Sequence, residues 1–256
     1  MIEAINIKHW GKINGNQLAE ELGLSRFILL NDFHCAAFGA NGLAPEDLVC
    51  IREGSRPEGD VKLMVGLGTG LGIAFTTRAS GPSFVPFASE GGWIHFLEIS
   101  DEDRSLAAYL RTIHKCDIIS FEQVCCGPSL TSLLNYSETR SGKLPSDLTP
   151  REICGRYEID SHCRFAVDRC LQYLGRFLCQ MSLIFKPYGG IYLTGGAMSS
   201  LFPLISKSDD FEKGLNSQAN PILAKIGSGP AIFYIRRADV GLLGARYAAM
   251  WFDNAH

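Results

Sequence analysis

The pair Asn31–Asp32 closes the apolar run RFILLND and joins an amide to a carboxylate. A carboxylate at the carboxyl end of a strand can act as a general base toward a substrate hydroxyl, an effect of about 10²–10⁴ in rate. Asp32 can instead cap the short helix that we predict to follow it, and the same two roles are open to Asn31. These residues by themselves leave catalysis and helix capping as alternatives.

The segment GLGTGLG contains Gly66, Gly68, Thr69, Gly70 and Gly72. Glycines let backbone N–H groups approach a phosphate closely, and the threonine hydroxyl can donate a further hydrogen bond. The segment is not a P-loop, because no Gly-Lys-Ser/Thr follows, and the third glycine of a dinucleotide-binding motif is missing. The β-prone runs on both sides predict a hairpin. A phosphate-binding hairpin and a hairpin without a ligand both remain open.

Two further carboxylates and a glycine pair lie beside turns. Glu90, in SEGGWIHF, can accept hydrogen bonds from two adjacent sugar hydroxyls, whereas most Glu-Gly-Gly sequences are solvated turns. Glu122, in ISFEQVCCGPSL, has the pattern of a surface carboxylate on a helix. Gly195 and Gly196, in LTGGAM, either form a plain turn after a strand or let an adenine ring lie against the backbone. None of these segments identifies a site on its own.

Composition is that of an ordinary soluble globular protein of 256 residues. With 46% apolar and 20% charged residues and a net charge of −3, there is no electrostatic reason to expect nucleic acid or an anionic membrane as a partner. The nine cysteines include no C-x-x-C pair, so neither a disulfide framework nor a protein-bound metal is predicted. No apolar run approaches the roughly 20 residues of a membrane span, and no signal peptide is recognisable. These features predict a cytoplasmic protein.

The elements around these residues predict an α/β protein. The run in RFILLND predicts a buried strand, and the helix after it is predicted to end at Gly39 or Gly42. Apolar residues recur at three- and four-residue steps over 163–185, which predicts a long amphipathic helix. Strands are predicted in GGIYLTGGAM and AIFYIRR, and Asp239 is predicted to cap a last helix. Strands that alternate with helices are typical of an α/β fold.

Taken together, these segments resemble the bacterial-type glucokinase family, within the hexokinase–actin ATPase fold, from about His9 to the C-terminal helix. The resemblance places Asn31 at a sugar-binding asparagine and Asp32 at the catalytic aspartate, which also contacts the sugar. It places Glu90 and Glu122 at sugar-binding glutamates. It assigns to the nucleotide the residues Gly66, Gly68, Thr69, Gly70, Gly72, Gly195 and Gly196.

The resemblance implies ATP-dependent phosphorylation of glucose to glucose 6-phosphate in glycolysis, with ATP and Mg²⁺ as cofactors and a homodimer as the assembly. It implies an α/β, two-lobed actin-like ATPase (ribonuclease H-like) fold. The expected lobes are a truncated small α/β lobe of residues 1–42 plus 233–256 and a large α/β lobe of residues 43–232. Sugar is expected to bind in the cleft between them.

Two departures from the family pattern bear on activity. The family's sugar-binding histidine is here Trp93, which donates one hydrogen bond, accepts none and is larger. We expect His95 to share a strand face with Trp93 and to be a partly buried structural residue. The family's first phosphate-binding turn would fall before Met1, so we expect impaired turnover. The alternative is a catalytically inactive sugar-binding protein or a fragment from a mis-assigned start.

Overall fold

A six-stranded sheet forms the centre of the computed structural model, which describes residues 14–54, 59–78, 84–218, 220–227 and 229–254. The strand order is β1-β6-β5-β2-β3-β4. Strand β5 runs parallel to β2 and β6, and the other neighbours are antiparallel. The strands are β1 (Leu48–Arg52), β2 (Val61–Leu67), β3 (Leu71–Arg78), β4 (Phe84–Ser89), β5 (Ile191–Thr194) and β6 (Ile232–Ile235).

Helices and two short 3₁₀ turns connect the strands, so the predicted α/β class is confirmed. The 3₁₀ turns are Pro45–Asp47 and Gly91–Trp93. No helix in the described part of the chain is both long and apolar enough to cross a membrane. The described α-helices are α1 (Gly15–Glu21), α2 (Asp32–Gly39), α3 (Asp101–His114), α4 (Gly127–Arg140), α5 (Pro150–Gly155), α6 (Ser161–Phe185), α7 (Gly196–Ile205), α8 (Asp210–Leu215), α9 (Pro221–Gly227) and α10 (Val240–Asn254).

Apolar residues cover both faces of the sheet, as strand β2 illustrates. Leu63, Val65 and Leu67 contribute to a large core that includes residues of α3, α4, α6 and α7. Met64 belongs instead to a smaller core with alanines of α2 and Val240 of α10. All four β2 side chains are fully buried. A strand buried on both faces is expected in a three-layer α/β arrangement. Helix α2 packs on one of these faces.

Helices α2 and α10 approach each other closely because glycines lie at their contact. A Cβ on Gly244 would lie 1.6 Å from the carbonyl oxygen of Cys35. A Cβ on Gly39 would lie 2.5 Å from the carbonyl oxygen of Val240. Any side chain at either position would push the helices apart, since protein interiors are close-packed. The C-terminal half of α2 is therefore held against α10.

The predicted long helix, hairpin and two later strands are confirmed. Helix α6 begins after Asp160, whose carboxylate caps it by accepting hydrogen bonds from the N–H groups of His162 and Cys163 at 2.8 and 3.2 Å. The helix ends where Lys186 adopts φ 46°. Strands β2 and β3 form the antiparallel hairpin, and β5 and β6 are the strands predicted in GGIYLTGGAM and AIFYIRR.

Several local predictions are wrong. Residues 26–30 are irregular, because no described strand pairs with them and an extended run becomes a strand only through such pairing. Glu122 lies in a turn that leads to α4 and not in a helix. The last helix begins at Val240, and Asp239 stands at the predicted cap position, where its carbonyl oxygen accepts a hydrogen bond from the Leu243 N–H at 2.9 Å. The Asp239 carboxylate does not cap the helix in the same way: it accepts hydrogen bonds from the guanidinium of Arg237 at 2.7 and 3.1 Å.

Candidate active site

Asn31 and Asp32 stand at the N-terminus of α2 and are both exposed. Asn31 is the cap: its Oδ1 accepts hydrogen bonds from the N–H groups of Phe33 and His34 at 2.9 and 3.1 Å. Asp32 is the first helical residue, and its Oδ1 accepts from the same N–H of Phe33 at 2.9 Å. Capping thus belongs to Asn31, and Asp32 remains accessible to a ligand.

Phe33 determines where this end of α2 lies, because its ring occupies space above two paired glycines. Gly66 and Gly72 face each other across β2 and β3. A Cβ on Gly66 would lie 2.0 Å from Cζ of Phe33, and a Cβ on Gly72 would lie 2.0 Å from Cε2. These two glycines therefore make room for the aromatic ring. Since Phe33 contacts the hairpin next to the hairpin turn, Asp32, one residue earlier, lies close to that turn.

The hairpin turn consists of Gly68, Thr69 and Gly70. The Gly68 N–H donates a hydrogen bond to the Gly70 carbonyl oxygen at 3.0 Å, which closes the turn. The Gly68 carbonyl oxygen accepts one from the N–H of Gly127, the first residue of α4, at 2.8 Å. Gly68 and Thr69 line a cavity of about 1170 Å³. The predicted phosphate-binding segment thus presents its turn to a large open space.

The beginnings of two long helices meet at this cavity. Gly127 and Pro128 open α4, Gly196 opens α7, and all three line the space. The positive end of a helix dipole favours an anionic ligand such as a phosphate. In α4 it is the dipole that contributes, because the Gly127 N–H is donated to Gly68 and Pro128 has no N–H. The cavity is further lined by Arg151 and Cys154 of α5 and by Ser199, Ser200, Pro203 and Leu204 of α7.

Gly195 and Gly196 lie where β5 turns into α7. Gly195 has φ 106°, a conformation that favours glycine, and a Cβ there would lie 2.4 Å from the Leu67 carbonyl oxygen. The end of β5 therefore packs directly against the end of β2. Gly196 follows and contributes to the cavity wall. Of the glycine pair predicted to contact the nucleotide, Gly196 thus borders the same cavity as Gly68.

Glu122 links the hairpin to the segment that carries Glu90. Its Oε2 accepts a hydrogen bond from the N–H of Leu71 at 2.9 Å. Its own N–H donates to the carbonyl oxygen of Gly92 at 2.9 Å. A Cβ on Gly92 would lie 2.0 Å from the Leu71 carbonyl oxygen, so the turn after Glu90 lies directly on the hairpin. The two glutamates and the glycine-rich hairpin form one connected group.

Trp93 and His95 do not form the predicted strand face. Trp93 ends the 3₁₀ turn, donates its N–H to the Glu90 carbonyl oxygen at 3.0 Å and has a 58% exposed side chain. His95 is exposed and takes part only in an isolated bridge to Ser120, so the expectation of a partly buried histidine is wrong. The glycines before Trp93 bend the backbone into a turn, where the alternation of strand faces does not apply.

Burial keeps the thiols beside the cavity in their protonated form. Burial raises the pKa of Cys126, which precedes α4, to about 12. Burial likewise raises the pKa of Cys154, which lines the cavity, to about 12. Since the thiolate is the nucleophilic form, neither cysteine is suited to covalent catalysis near neutral pH.

Sequence reasoning missed Phe33 and Arg151. Phe33 directly follows the candidate base, and Gly66 and Gly72 are placed symmetrically about the turn, a pattern that could have indicated a flat receiving surface. Arg151, on the short helix α5, carries no comparable local signal. It reaches the cavity only through tertiary packing.

The comparisons with known sequences identify the family of the chain. Residues 3–251 match the family model described as Glucokinase. A glucokinase of Chromohalobacter salexigens is 30% identical over 198 residues, which cover 77% of this chain and 61% of that protein. A glucokinase of Nostoc sp. is 27% identical over 264 residues, which cover 93% of this chain and 75% of that protein. The matches therefore span only part of each relative.

Solved sugar kinases share the fold. A glucokinase from an Antarctic psychrotroph matches with a TM-score of 0.78 and 22% identity, over 91% of this chain and 71% of that one. A ROK family glucokinase from Streptomyces griseus, solved with glucose and AMPPNP, matches with a TM-score of 0.60 and 17% identity, over 90% and 70% of the two chains. These likenesses show the actin-like ATPase fold. The match over residues 3–251 shows that the chain belongs to the glucokinase family.

Proposed function

We propose that this chain phosphorylates glucose with ATP and releases glucose 6-phosphate, as at the entry to glycolysis. One observation carries the proposal: Phe33 and Glu122 connect Asp32, the turn after Glu90 and the Gly68–Gly70 turn through direct contacts. A base, sugar-binding carboxylates and a phosphate-binding turn are the groups that this reaction requires.

In this proposal the sugar lies over the N-terminus of α2. Asp32 takes the proton from the 6-hydroxyl as that oxygen attacks the γ-phosphate. The Oδ1 of Asn31 is engaged in the helix cap, so its Nδ2 would donate to a sugar hydroxyl. Glu90 and the Oε1 of Glu122, the oxygen not bonded to Leu71, would accept hydrogen bonds from sugar hydroxyls.

The nucleotide would occupy the large cavity. Its phosphates would lie between the hairpin turn and the N-termini of α4 and α7, where the positive ends of the helix dipoles favour negative charge. The Thr69 hydroxyl would donate to a phosphate oxygen, and the adenosine would extend past Gly196. The AMPPNP bound by the Streptomyces griseus protein of the same fold supports this use of the cavity. Phosphoryl transfer depends chiefly on such positioning and on charge stabilisation.

Mg²⁺ would enter with the nucleotide. Among the residues that the structure describes, no group of three or more His, Cys, Asp or Glu side chains could hold a metal ion. Mg²⁺ usually keeps several waters and binds through substrate phosphates with one or two carboxylates. The exposed carboxylate of Asp32 at the hairpin is compatible with that mode. The ion would supply neutralisation of the phosphate charge.

A coupled assay of glucose 6-phosphate formation by the purified chain tests the proposal, with mannose as the competing sugar. We expect ATP-dependent turnover that prefers glucose. Glucose binding by calorimetry without turnover would favour the inactive sugar-binding protein, and absence of both would overturn the proposal. A rate far below the usual range of about 1–10³ per second would support the expectation of impaired turnover.

We also propose a cytoplasmic homodimer, on the strength of the family resemblance. Five exposed apolar side chains within residues 93–118 support self-association, because water-exposed apolar surface often marks an interface. Sedimentation equilibrium should give twice the chain mass, and a monomer at micromolar concentration would contradict the dimer. These side chains are Trp93, Leu97, Ile99, Ile113 and Ile118.

A further inference from the structure

We propose that Phe33 is a positioning residue that couples the sugar-binding end of α2 to the phosphate-binding hairpin. The inference rests on the proposed function, because it concerns the same site. The Phe33 ring lies against Gly66 and Gly72, while its N–H donates to the Oδ1 atoms of both Asn31 and Asp32. One residue thus contacts the hairpin with its side chain and orients both polar side chains with its backbone.

The contact with the hairpin spans both strands. Cζ and Cε1 of Phe33 would lie 2.0 and 2.1 Å from a Cβ on Gly66, and Cε2 and Cδ2 would lie 2.0 and 2.1 Å from a Cβ on Gly72. Because the two glycines are partners in the β2–β3 ladder, they offer the ring a flat surface without side chains. A shift of either strand must therefore displace the ring.

A neighbouring contact ties the same helical turn to the strand that leads to Glu90. The Nε2 of His34 lies 3.2 Å from the carbonyl oxygen of Pro86 in β4, and β4 ends at Ser89. The other end of α2 is held against α10 through Gly39. The first turn of α2 can thus follow the hairpin and β4, whereas its last turn stays in place.

The expected consequence is mutual strengthening of sugar and nucleotide binding. Phosphates bound at the Gly68–Gly70 turn would restrict the hairpin to one conformation. Through its contact with the hairpin, Phe33 would then fix the orientation of Asn31 and Asp32. Because coupling between two sites is reciprocal, bound sugar would strengthen nucleotide binding by the same factor. Couplings of this kind usually amount to about 5- to 150-fold.

Calorimetry of the full chain tests the coupling. Glucose affinity is measured with and without saturating AMPPNP, which does not undergo the transfer. In the wild type we expect AMPPNP to tighten glucose binding by at least about fivefold. We call the glucose affinity with AMPPNP divided by the glucose affinity without it the coupling ratio. In Phe33→Leu this ratio should fall toward one, whatever the affinity for glucose alone. An unchanged ratio in Phe33→Leu would overturn the proposal.

Phe38→Leu is the matched control, since it removes another ring from α2. Phe38 stacks on His34 at 5.4 Å and contacts Phe252 at 6.2 Å. General damage to α2 would lower the ratio in both variants, whereas a positioning role lowers it only in Phe33→Leu. Loss of the ratio in both would therefore count against the proposal.

A double-mutant cycle gives a second, independent test. Gly72→Ala places a methyl where the Phe33 ring lies, so it should reduce the ratio, and Phe33→Ala should remove that clash. We expect the fold loss of glucose affinity caused by Gly72→Ala to be about ten times smaller in the Phe33→Ala background than in the wild type. That factor is equivalent to about 1.4 kcal/mol of interaction energy between the two positions. Additive effects would overturn the contact as the cause.

The outcomes separate this inference from the proposed function. Suppose that the wild type shows no turnover, but AMPPNP tightens its glucose binding and Phe33→Leu abolishes that tightening. This result would overturn the kinase activity and support the coupling. Turnover with equal ratios in all variants would overturn the coupling alone. Failure of the wild type to bind either glucose or AMPPNP would overturn both.

Discussion

Glu122 and Leu71 are joined by a hydrogen bond of 2.9 Å, which the Leu71 N–H donates to Oε2 of Glu122. Leu71 is the first residue of β3, directly after the Gly68–Gly70 turn. The N–H of Glu122 in turn donates to the carbonyl oxygen of Gly92, in the segment after Glu90. A carboxylate predicted from the sequence to bind sugar therefore also holds the candidate phosphate hairpin. Hydrogen bonds to charged groups contribute about 1.5–3 kcal/mol.

Substitution of Glu122 should separate its two contacts. Glu122→Gln keeps an oxygen that can accept from Leu71 but loses the charge, so we expect the KM for glucose to rise about tenfold with kcat nearly unchanged. Glu122→Ala also loses the bond to Leu71, so kcat should fall and the KM for ATP should rise. Steady-state kinetics with each substrate varied measures both. Equal behaviour of the two variants would mean that the Leu71 contact has no part in activity.

Asp32→Ala should lower turnover by at least about 10², because it removes the proposed base. The free energy of unfolding should change little, since Asp32 is exposed and the helix cap is Asn31. Rates come from the coupled assay and stability from urea unfolding. Asn31→Ala is the control for a capping effect and should cost about 1 kcal/mol of stability. Near-normal turnover in Asp32→Ala would remove this carboxylate from the mechanism.

Trp93→His should tighten glucose binding, because histidine both donates and accepts hydrogen bonds whereas the indole only donates. The side chain is 58% exposed, so stability should change by no more than about 0.5 kcal/mol. Titration calorimetry with glucose gives the affinity, and thermal unfolding checks the fold. Equal or weaker binding in the histidine variant would show that position 93 does not contact the sugar productively.

A buried ion pair should make stability depend on pH. Asp103, only 1% exposed, accepts a hydrogen bond from Tyr173 at 3.1 Å and pairs with Arg176 at 2.8 Å, joining α3 to α6. Burial acts to raise its pKa, but hydrogen bonds from Ser100 and the Arg176 guanidinium outweigh burial and hold the pKa below its ordinary value. Its charge therefore stabilises the fold above the unfolded pKa of about 3.9, and that contribution is lost as the pH falls through the lower folded value.

Asp103→Asn tests this dependence. At pH 7 we expect a loss of about 3–5 kcal/mol, because Arg176 is left buried without a charged partner. As the pH falls from about 4 through the lower folded pKa of Asp103, the difference from the wild type should shrink, because the unfolded carboxyl takes up a proton before the folded one does. Urea unfolding of both proteins at pH 7 and below pH 4 measures the difference in free energy of unfolding. A difference that stays constant across this range would contradict the assignment to the Asp103 charge.

The sequence by itself determined the elements whose signals are local. The spacing of apolar residues predicted α6, and the glycine-rich bend between β-prone runs predicted the hairpin. These signals are local because backbone hydrogen bonds and burial of one face depend on neighbours a few residues away. The order and spacing of five segments were enough to indicate the family, which the match over residues 3–251 shows. These segments are RFILLND, GLGTGLG, SEGGWIHF, ISFEQVCCGPSL and LTGGAM.

Only the tertiary structure decided what several of these residues contact. Two contacts join segments that are distant in sequence. The ring of Phe33 lies against Gly66 and Gly72, and Glu122 accepts a hydrogen bond from Leu71. The run 26–30 has strand-like composition yet stays irregular, because a strand needs a partner that composition cannot supply. Local patterns record propensity, whereas the filling of space between distant segments is settled by close packing of the whole chain.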